Sequence, residues 1–574
     1  MMVKDLSGWR RRLVAVVAGA ALALALAPVY FLPALLSFAI LLLLVDDVAA
    51  SANKQGVGQR HKLVAIFGVG WWFGLGFFTA GLFWIANALL VVGGPVVWFL
   101  PLAAVGLPAG LAVFAGLATV MAYIFRTPGP FRVVTFAAAW TLADWLRGNI
   151  LTGFPWNLVG YSWAEFDPMV QSASVLGIYG LTAVTVLLGA MPALMVGRKF
   201  SSFGFWWPAS TVFLVLAVMW GAGSARLSAA VSESTGKGEN QLVSGVGLRL
   251  VQPNIPQSEK WQPGKRMAAV KEIISLSRSA IQVGGVPSAY VPQAITHVIW
   301  PESAVPYFLR QGSGDSDEVT LAEEQQRQMR FLRWLGGAAP AGGLLLTGAP
   351  RVSDAGDPAR LWNSLFAIDG GGNILATYDK RHLVPFGEYL PMRDILGAIG
   401  VEKLVYGPMD FSPGTGSAVL GLPGLPAFRP LVCYEVIFPG EIAAGAVRPA
   451  WILNITNDGW YGRSPGPYQH LDSARFRAVE QGVPLVRVAN TGISAMIDPY
   501  GRVVGKLDLD KRGILDVALP LPLAQATIFL RWTAWVEARV SDAARFVLPG
   551  IMVVLLLVGR FLPGSGEARS KRRL

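Results

Sequence analysis

Apolar residues are distributed very unevenly along the chain. Residues 13–225 consist largely of apolar runs and another run lies near 545–562, whereas residues 245–520 mix apolar and polar positions. A helix that crosses the hydrocarbon core of a membrane needs about 20 mainly apolar residues. The candidate segments are 13–27, 29–45, 63–90, 96–125, 132–148, 169–197, 204–224 and 544–562. The pattern predicts about seven transmembrane helices before a polar domain and one after it.

The N-terminal segment allows two interpretations. The runs 13–27 and 29–45 are short and are separated by Pro28. Basic residues at 10–12 and the Ala-Leu-Ala sequence at 25–27 resemble the n-region and the cleavage site of a signal peptide. An uncleaved first helix is favoured, because the loop charges give a consistent topology only if this segment is retained.

Lysine and arginine are concentrated in alternate loops. The basic positions are Lys4, 10–12, Lys54, Arg60, Lys62, Arg126, Arg132, Arg198, Lys199, Arg569 and 571–573. Because cytoplasmic loops are enriched in these residues, both termini are expected in the cytoplasm and residues 225–543 on the opposite side. The basic residues of the cytoplasmic loops largely explain the net charge of +12. No basic and aromatic patch predicts a nucleic-acid partner.

The polar part of the chain has the pattern of an α/β domain. Short apolar runs predict strands at 248–251, 297–300, 344–347, 364–368, 431–433, 451–455 and 485–488. Helical patterns lie between them, at 265–282, 318–335 and 468–481. Alternating strands and helices indicate a sheet that helices cover.

These patterns divide the chain into four regions. We expect a transmembrane bundle at 1–225, a Gly/Ser-rich linker at 226–246, an extracytoplasmic domain at 247–523, and a C-terminal region at 524–574. The last region contains an interfacial segment, a transmembrane helix and a basic cytoplasmic tail. Its amphipathic residues 524–543 either lie at the membrane surface or form an ordinary surface helix of the domain.

Composition agrees with a membrane protein that carries one large polar domain. Hydrophobic residues make up 53% of the chain and charged residues 15%, below the roughly 25% that is usual for soluble domains. The single cysteine, Cys433, cannot form an intramolecular disulfide. The histidines are His61, His297, His382 and His470. None is spaced from another as metal ligands are, so we expect neither a metal nor a cofactor.

Three segments at predicted strand ends are candidates for catalysis. Residues 300–304 (WPESA) contain Glu302, residues 378–391 (YDKRHLVPFGEYLP) contain Lys380, and residues 431–435 (LVCYE) contain Cys433. A carboxylate can take the thiol proton and return it to a leaving group. An ammonium group can stabilise the oxyanion of a tetrahedral intermediate.

Each of these residues also has an inert interpretation. Glu302 fits a surface or helix-capping carboxylate, Lys380 fits a solvated charged face, and Cys433 fits a small buried hydrophobe. Pairing of the thiol with His382 or His470 is a further alternative.

The order Glu302, Lys380, Cys433 resembles the nitrilase superfamily. Further motifs make the resemblance narrower: residues 380–391, 433–435 (CYE), 457–462 (NDGWYG) and 153–157 (GFPWN) are similar to those of the apolipoprotein N-acyltransferase family. Members of that family are membrane enzymes that N-acylate bacterial lipoproteins. The similarity covers nearly the whole chain. It implies a nitrilase-like α-β-β-α sandwich on a polytopic α-helical bundle of about eight spans.

The resemblance also implies residue roles. Glu302 matches the general base, Lys380 the oxyanion stabiliser and Cys433 the nucleophile. The implied supporting residues are Glu388, Tyr434 and Glu435, and the implied substrate-binding or lid residues are Trp261, Phe386 and Trp460. Residues 411–416 are a further candidate for shielding the site. Gly459 and Tyr461 depart from the family pattern, and the loop at 309–318 has no assigned role.

The implied reaction has two substrates. A membrane phospholipid, expected to be phosphatidylethanolamine, acylates Cys433, and the α-amino group of the S-diacylglyceryl-cysteine of an apolipoprotein then attacks the thioester. The implied location is the bacterial inner membrane, with the catalytic domain in the periplasm.

Two other functions are compatible with parts of the sequence. A membrane-tethered amidohydrolase would use the same triad on a small amide. A transporter or lipid-binding scaffold would need no catalysis, but the main charges within the predicted spans are Asp144 and Arg147. These two lie one helical turn apart and are expected to pair with each other, which argues against a transport path.

Overall fold

The fold consists of two compact units. The computed structural model describes residues 6–561, except 128, 237–241, 283–284, 311–318, 354–358, 395–408, 417–418, 441–447 and 540–543. The first unit comprises Met1–Ala86, Val97–Ala229 and Thr527–Leu574, and the second comprises Asn87–Val96 and Ala230–Ala526. The predicted basic tail and most of the loop at 309–318 lie outside the described residues.

The first unit is helical. Within the described residues, the α-helices of both units are α1 (Gly8–Ala23), α2 (Ser37–Lys54), α3 (Gln59–Leu82), α4 (Asn87–Val92), α5 (Leu107–Ile124), α6 (Phe131–Asn149), α7 (Asp167–Val170), α8 (Ala173–Ala190), α9 (Phe203–Gly236), α10 (Gln257–Lys260), α11 (Pro263–Ser277), α12 (Val319–Gly336), α13 (Gly466–Gln481), α14 (Ile528–Glu537) and α15 (Ala544–Phe561). Helix α3 packs between α1 and α5, and α6 packs against α5, α8 and α15.

Five helical segments within the described residues are long and apolar enough to cross a membrane. They are Leu32–Lys54, Gln59–Val92, Val96–Ile124, Ala173–Leu194 and Phe203–Ala230. The other three predicted spans coincide with α1, α6 and α15. Helix α1 has 16 residues, the apolar part of α15 is Phe546–Val558, and α6 carries three charged side chains. The count of five is therefore lower than the eight that the apolar pattern predicts.

The two main charges within α6 neutralise each other. Arg147 Nη2 lies 2.7 Å from Asp144 Oδ1, and both side chains are buried. The guanidinium also donates to the carbonyl oxygens of Phe154 and Trp156, at 2.5 Å and 2.7 Å. The expected pairing is confirmed, and it anchors the 153–157 motif to α6.

The second unit contains two six-stranded sheets. The strands are β1 (Leu242–Gln252), β2 (His297–Ile299), β3 (Leu344–Val352), β4 (Leu361–Asp369), β5 (Ile374–Asp379), β6 (Leu420–Leu422), β7 (Leu425–Val432), β8 (Trp451–Thr456), β9 (Leu485–Ala489), β10 (Ser494–Ile497), β11 (Val503–Leu507) and β12 (Gly513–Pro520). One sheet has the order β12-β1-β2-β3-β4-β5 and the other β11-β10-β9-β8-β7-β6. Parallel pairing at their centres (β1–β2–β3 and β7–β8–β9) places strand ends at common edges.

The two sheets pack face to face. One buried cluster contains Leu250 and Ile299 of the first sheet together with Val432, Leu453 and Val486 of the second. A separate cluster joins the outer face of the first sheet to α11 and α12, through residues such as Val270, Leu335 and Leu345. Helix α13 packs against β9 of the second sheet. This is the layered arrangement of a nitrilase-like domain.

The segments that flank this domain differ from the sequence analysis in two ways. Residues 226–236, predicted as linker, continue α9, because the arginine, leucine and alanine residues at 226–230 favour a helix. Strand β1 begins at Leu242, within the predicted linker 226–246, so only residues 237–241 of that linker lie outside the described elements. Helix α14 groups with the membrane helices, where a Cβ atom on Gly177 would meet the ring of Phe529 at 2.4 Å.

Candidate active site

Glu302 lies on a turn that follows β2. The turn is held against β3 by backbone hydrogen bonds from Trp300 to Leu346 and from Val305 to Gly348, at 2.8 Å and 3.1 Å. The carboxylate is buried, with 7% of the residue exposed. Its Oε1 accepts a hydrogen bond of 2.8 Å from Asn363 Nδ2. Burial excludes the surface-carboxylate interpretation.

Lys380 follows the last residue of β5 and is buried among carboxylates. Only 1% of the residue is exposed. Its Nζ lies 3.0 Å and 2.9 Å from the two oxygens of Glu388 and 3.9 Å from Glu302 Oε1. Burial alone would lower the pKa of Lys380, but Glu388 and Glu302 raise it well above its usual value. The side chain is therefore a buried ammonium and not part of a solvated face.

Cys433 begins a 3₁₀ turn, Cys433–Ile437, directly after β7. Its φ of 53° lies in the left-handed region, which a non-glycine residue adopts only when its surroundings enforce it. Burial and the charge of Glu302 raise the pKa of the thiol to about 12, while Lys380 lowers it. The thiol is thus protonated at neutral pH and needs a base before it can react.

Burial also raises the pKa of Glu302, although Lys380 counteracts it. A carboxylate with a raised pKa is a stronger base, and it stands within the electrostatic reach of both the thiol and the ammonium. The structure therefore brings the three candidate catalytic side chains into one buried site. Among the described residues, no three His, Cys, Asp or Glu side chains group as a metal site requires.

Glu435 connects the cysteine segment to the lysine segment. Its Oε1 accepts from the backbone N–H groups of Arg381 and His382, at 2.7 Å and 3.1 Å, and from the hydroxyl of Tyr378 at 3.0 Å. Its Oε2 accepts from Val432 N at 2.7 Å. One buried carboxylate therefore fixes the positions of Lys380 and Cys433 relative to each other.

Glu388 has a similar bridging position. Its carboxylate accepts from Lys380 Nζ, from Asn363 Nδ2 at 2.8 Å and from the backbone N–H of Val384 at 2.8 Å. Residues 411–416, proposed as a shield, are tied to the same segment: Phe411 N donates to the Glu388 carbonyl and Gly414 N to the Lys380 carbonyl. Their backbone thus supports the lysine segment.

The predicted lid residues lie on segments that also carry residues of this site. Trp261 follows Lys260, whose Nζ donates to the Glu302 carbonyl oxygen at 3.0 Å. Trp460 ends a 3₁₀ turn that begins at Asp458. Phe386 is half exposed and has a φ of 61°. The side chains of Trp261 and Trp460 are partly exposed.

The two histidines considered as partners of the thiol have other neighbours. The ring of His382 stacks on Phe438, with 3.7 Å between the centroids. Both nitrogens of His470 face groups other than the thiol: Nε2 lies 3.2 Å from the Cys433 carbonyl oxygen and Nδ1 3.0 Å from Asp458 Oδ1. The geometry favours Glu302 as the base.

Several residues of the site escaped the sequence analysis. Asn363 and Arg487 are polar residues inside the apolar strands β4 and β9, and such interruptions are a usable signal. Lys260 is buried, and burial lowers its pKa to about 8, although Glu302 raises it. Tyr461, noted only as a departure from the family pattern, has its hydroxyl 4.0 Å from Cys433 Sγ.

Two family models match the chain. Residues 247–529 match carbon-nitrogen hydrolase, and residues 18–191 match the apolipoprotein N-acyltransferase N-terminal domain. Among solved structures, an amidase of Nesterenkonia AN1 from the nitrilase superfamily is 21% identical, with a TM-score of 0.34, and covers 52% of this chain and 98% of the amidase.

Curated relatives match along almost the entire length. A protein of Rhodopseudomonas palustris named apolipoprotein N-acyltransferase is 40% identical over 562 residues, which is 97% of each chain. Proteins of the same name from Bradyrhizobium diazoefficiens and Brucella melitensis are 42% and 40% identical, over 96% and 90% of this chain and 95% and 91% of the relatives. The chain therefore belongs to the apolipoprotein N-acyltransferase family.

Proposed function

We propose that this protein transfers a fatty acyl chain from a membrane phospholipid, through a thioester on Cys433, to the N-terminal α-amino group of a diacylated apolipoprotein. The observation that carries the proposal is the buried group of Glu302, Lys380 and Cys433 in a chain that acyltransferases match over almost its whole length. Phosphatidylethanolamine is the proposed donor, and an S-diacylglyceryl-cysteine is the proposed acceptor.

The first half-reaction forms the thioester. Glu302 takes the thiol proton as Sγ attacks the ester carbonyl carbon, and the ammonium of Lys380 stabilises the oxyanion. When the tetrahedral intermediate collapses, the carbon–oxygen ester bond breaks. The proton held by Glu302 passes to the departing alkoxide, so a lysophospholipid leaves and the acyl group stays on sulfur.

The second half-reaction forms the amide. Glu302, again ionised, takes a proton from the α-amino group as its nitrogen attacks the thioester carbon. Collapse of this intermediate breaks the carbon–sulfur bond, and Glu302 returns the proton to the thiolate. Supporting roles follow from position: Glu388 pairs with Lys380, Glu435 joins the two loops, and the Tyr434 N–H donates to the oxyanion. Trp261, Phe386 and Trp460 contact the acyl chains and limit the access of water.

Intact mass spectrometry tests the proposal. Purified protein incubated with phosphatidylethanolamine vesicles should gain one acyl mass, and a diacylated lipopeptide should remove that mass as a triacylated product. The matched control is Cys433→Ser, which should gain no mass. An unmodified wild-type protein that instead hydrolyses small amides would favour the amidohydrolase alternative.

The finer membrane arrangement is part of the same proposal. Helices α1, α6 and α15 complete eight spans in the inner membrane, with both termini in the cytoplasm and the catalytic domain in the periplasm. The alternation of basic and uncharged loops supports this arrangement. Alkaline phosphatase, which is active only in the periplasm, should be active when fused after residue 93 and inactive when fused after residue 57. The reverse result would overturn the orientation.

A further inference from the structure

A fully buried polar cluster lies behind the nucleophile turn. It contains Asn454 on β8, Asp458 after that strand, His470 on α13 and Arg487 on β9, each at most 1% exposed. Arg487 Nη2 lies 2.6 Å from Asp458 Oδ2, and Thr456 donates to Asp458 Oδ1 at 2.9 Å. The charges of arginine and aspartate neutralise each other. Nothing in the acyl-transfer steps uses these residues directly.

The hydrogen-bond partner of His470 Nε2 defines the role of that atom. The carbonyl oxygen of Cys433, 3.2 Å from Nε2, can only accept, so Nε2 must carry the hydrogen. Nδ1 lies 3.0 Å from Arg487 Nη2, which can donate to it, and 3.0 Å from Asp458 Oδ1, which can only accept; with either partner, Nε2 carries its hydrogen. Burial, and then Arg487, lower the pKa of His470, which favours the neutral ring. The cluster therefore presents one N–H group to the backbone of the nucleophile.

The Cys433 carbonyl is consequently held in a fixed direction. Asn454 Nδ2 makes a second, longer contact with it at 3.4 Å and also donates to the Leu431 carbonyl at 3.2 Å. A peptide unit is planar and trans, so the direction of the Cys433 carbonyl also sets the direction of the Tyr434 N–H, which points the opposite way. Polarisation of the carbonyl further strengthens that N–H as a donor.

We propose that His470 is a positioning residue for the oxyanion site, because it holds the Cys433 carbonyl and thereby aims the Tyr434 N–H at the reacting carbonyl oxygen. Asp458 and Arg487 fix the ring that does so. This inference rests on the proposed covalent function. It adds that His470 helps to hold the left-handed backbone of Cys433 in place. It assigns no proton transfer to His470.

Two reactions of the same thiol separate this role from a general structural one. Acylation of Cys433 by a soluble p-nitrophenyl ester forms an oxyanion, whereas its alkylation by iodoacetamide does not. In His470→Ala, acylation should be about 100-fold slower, the cost of losing one oxyanion donor, while alkylation stays within about threefold of wild type. His470→Gln, which keeps an N–H donor, should recover most of the acylation rate.

The controls keep every outcome informative. His297→Ala removes another buried histidine of the same domain and should leave both rates unchanged. His470→Leu fills more of the vacated space than alanine and should show the same selective loss if the alanine variant does not fold. A parallel loss of both reactions, or unchanged acylation, would overturn the inference. If the wild-type protein were acylated by the p-nitrophenyl ester but not by phospholipid, the proposed function would be wrong. The inference about His470 would stand, because its test does not use phospholipid.

Discussion

At the scale of single residues, Asn363 helps to keep the proposed base ionised. Its Nδ2 donates to Glu302 and Glu388 at 2.8 Å each, and the bond to Glu302 opposes the effect of burial on the pKa of that carboxyl. Asn363→Ala should therefore raise the pKa of Glu302 further. Because the base must be ionised, the acidic limb of kcat/KM for acylation should move to higher pH. A pH profile measures this, with Asn373→Ala on an exposed turn as the control. An unmoved limb would contradict the role.

A second prediction for a single residue concerns the charge of Lys380. Lys380→Met should reduce kcat/KM for acylation at least about 100-fold, or about 2.7 kcal/mol, because the oxyanion loses a donor and two buried carboxylates lose their cation. Stopped-flow release of p-nitrophenolate gives the rate. Lys506→Met, which breaks an exposed ion pair with Asp508, is the matched control and should retain full activity. Comparable rates in the two variants would refute the assignment.

At the scale of elements, the apolar pattern predicts seven of the twelve strands described in the two sheets. All seven predicted runs overlap strands, since a strand covered on both faces reads as a continuous apolar run. Strand β4 begins at Leu361, three residues before the predicted run. The prediction begins late because the polar residue Asn363, which belongs to the site, interrupts the apolar pattern. The pairing of β1 with β12 and the placement of 87–96 in the second unit depend on contacts between distant segments, which no local pattern encodes.

A glycine in β3 makes the turn of Glu302 possible. A Cβ atom on Gly348 would lie 2.6 Å from Ser303 N and 2.7 Å from Glu302 Cα. Gly348→Ala should push this turn away from β3, cost about 1–3 kcal/mol of stability and displace the base. Acylation and iodoacetamide alkylation should therefore both fall, because each needs the thiol that Glu302 deprotonates. Gly421→Ala on β6, where a Cβ atom meets nothing within 4 Å, should change neither rate. Equal behaviour of the two variants would show that the turn tolerates the displacement.

At the scale of the whole molecule, the catalytic domain is an insertion between α9 and α14. Its first and last strands, β1 and β12, pair antiparallel, so the two ends of the insertion lie side by side. Arg249 and Asp516 join these strands through two hydrogen bonds of 2.8 Å each and are buried. Arg249 also donates to the carbonyl oxygens of Ser277 and Ser279 at the end of α11. One ion pair thus fastens the edge strand β12 to β1 and holds the end of α11 against the sheet.

Loss of this ion pair should lower the stability of the domain without changing its acylation rate. Asp516→Ala leaves Arg249 buried without its counter-ion, which typically costs about 3–5 kcal/mol. Because large membrane proteins unfold irreversibly, the measurement is the half-life of acylation activity on heating in detergent. The half-life should fall steeply, while the acylation rate at low temperature stays near that of wild type. Arg463→Ala removes an exposed partner of Asp510 and should change the half-life little. If both variants inactivated at the wild-type rate, the attachment of β12 to β1 would not depend on this ion pair.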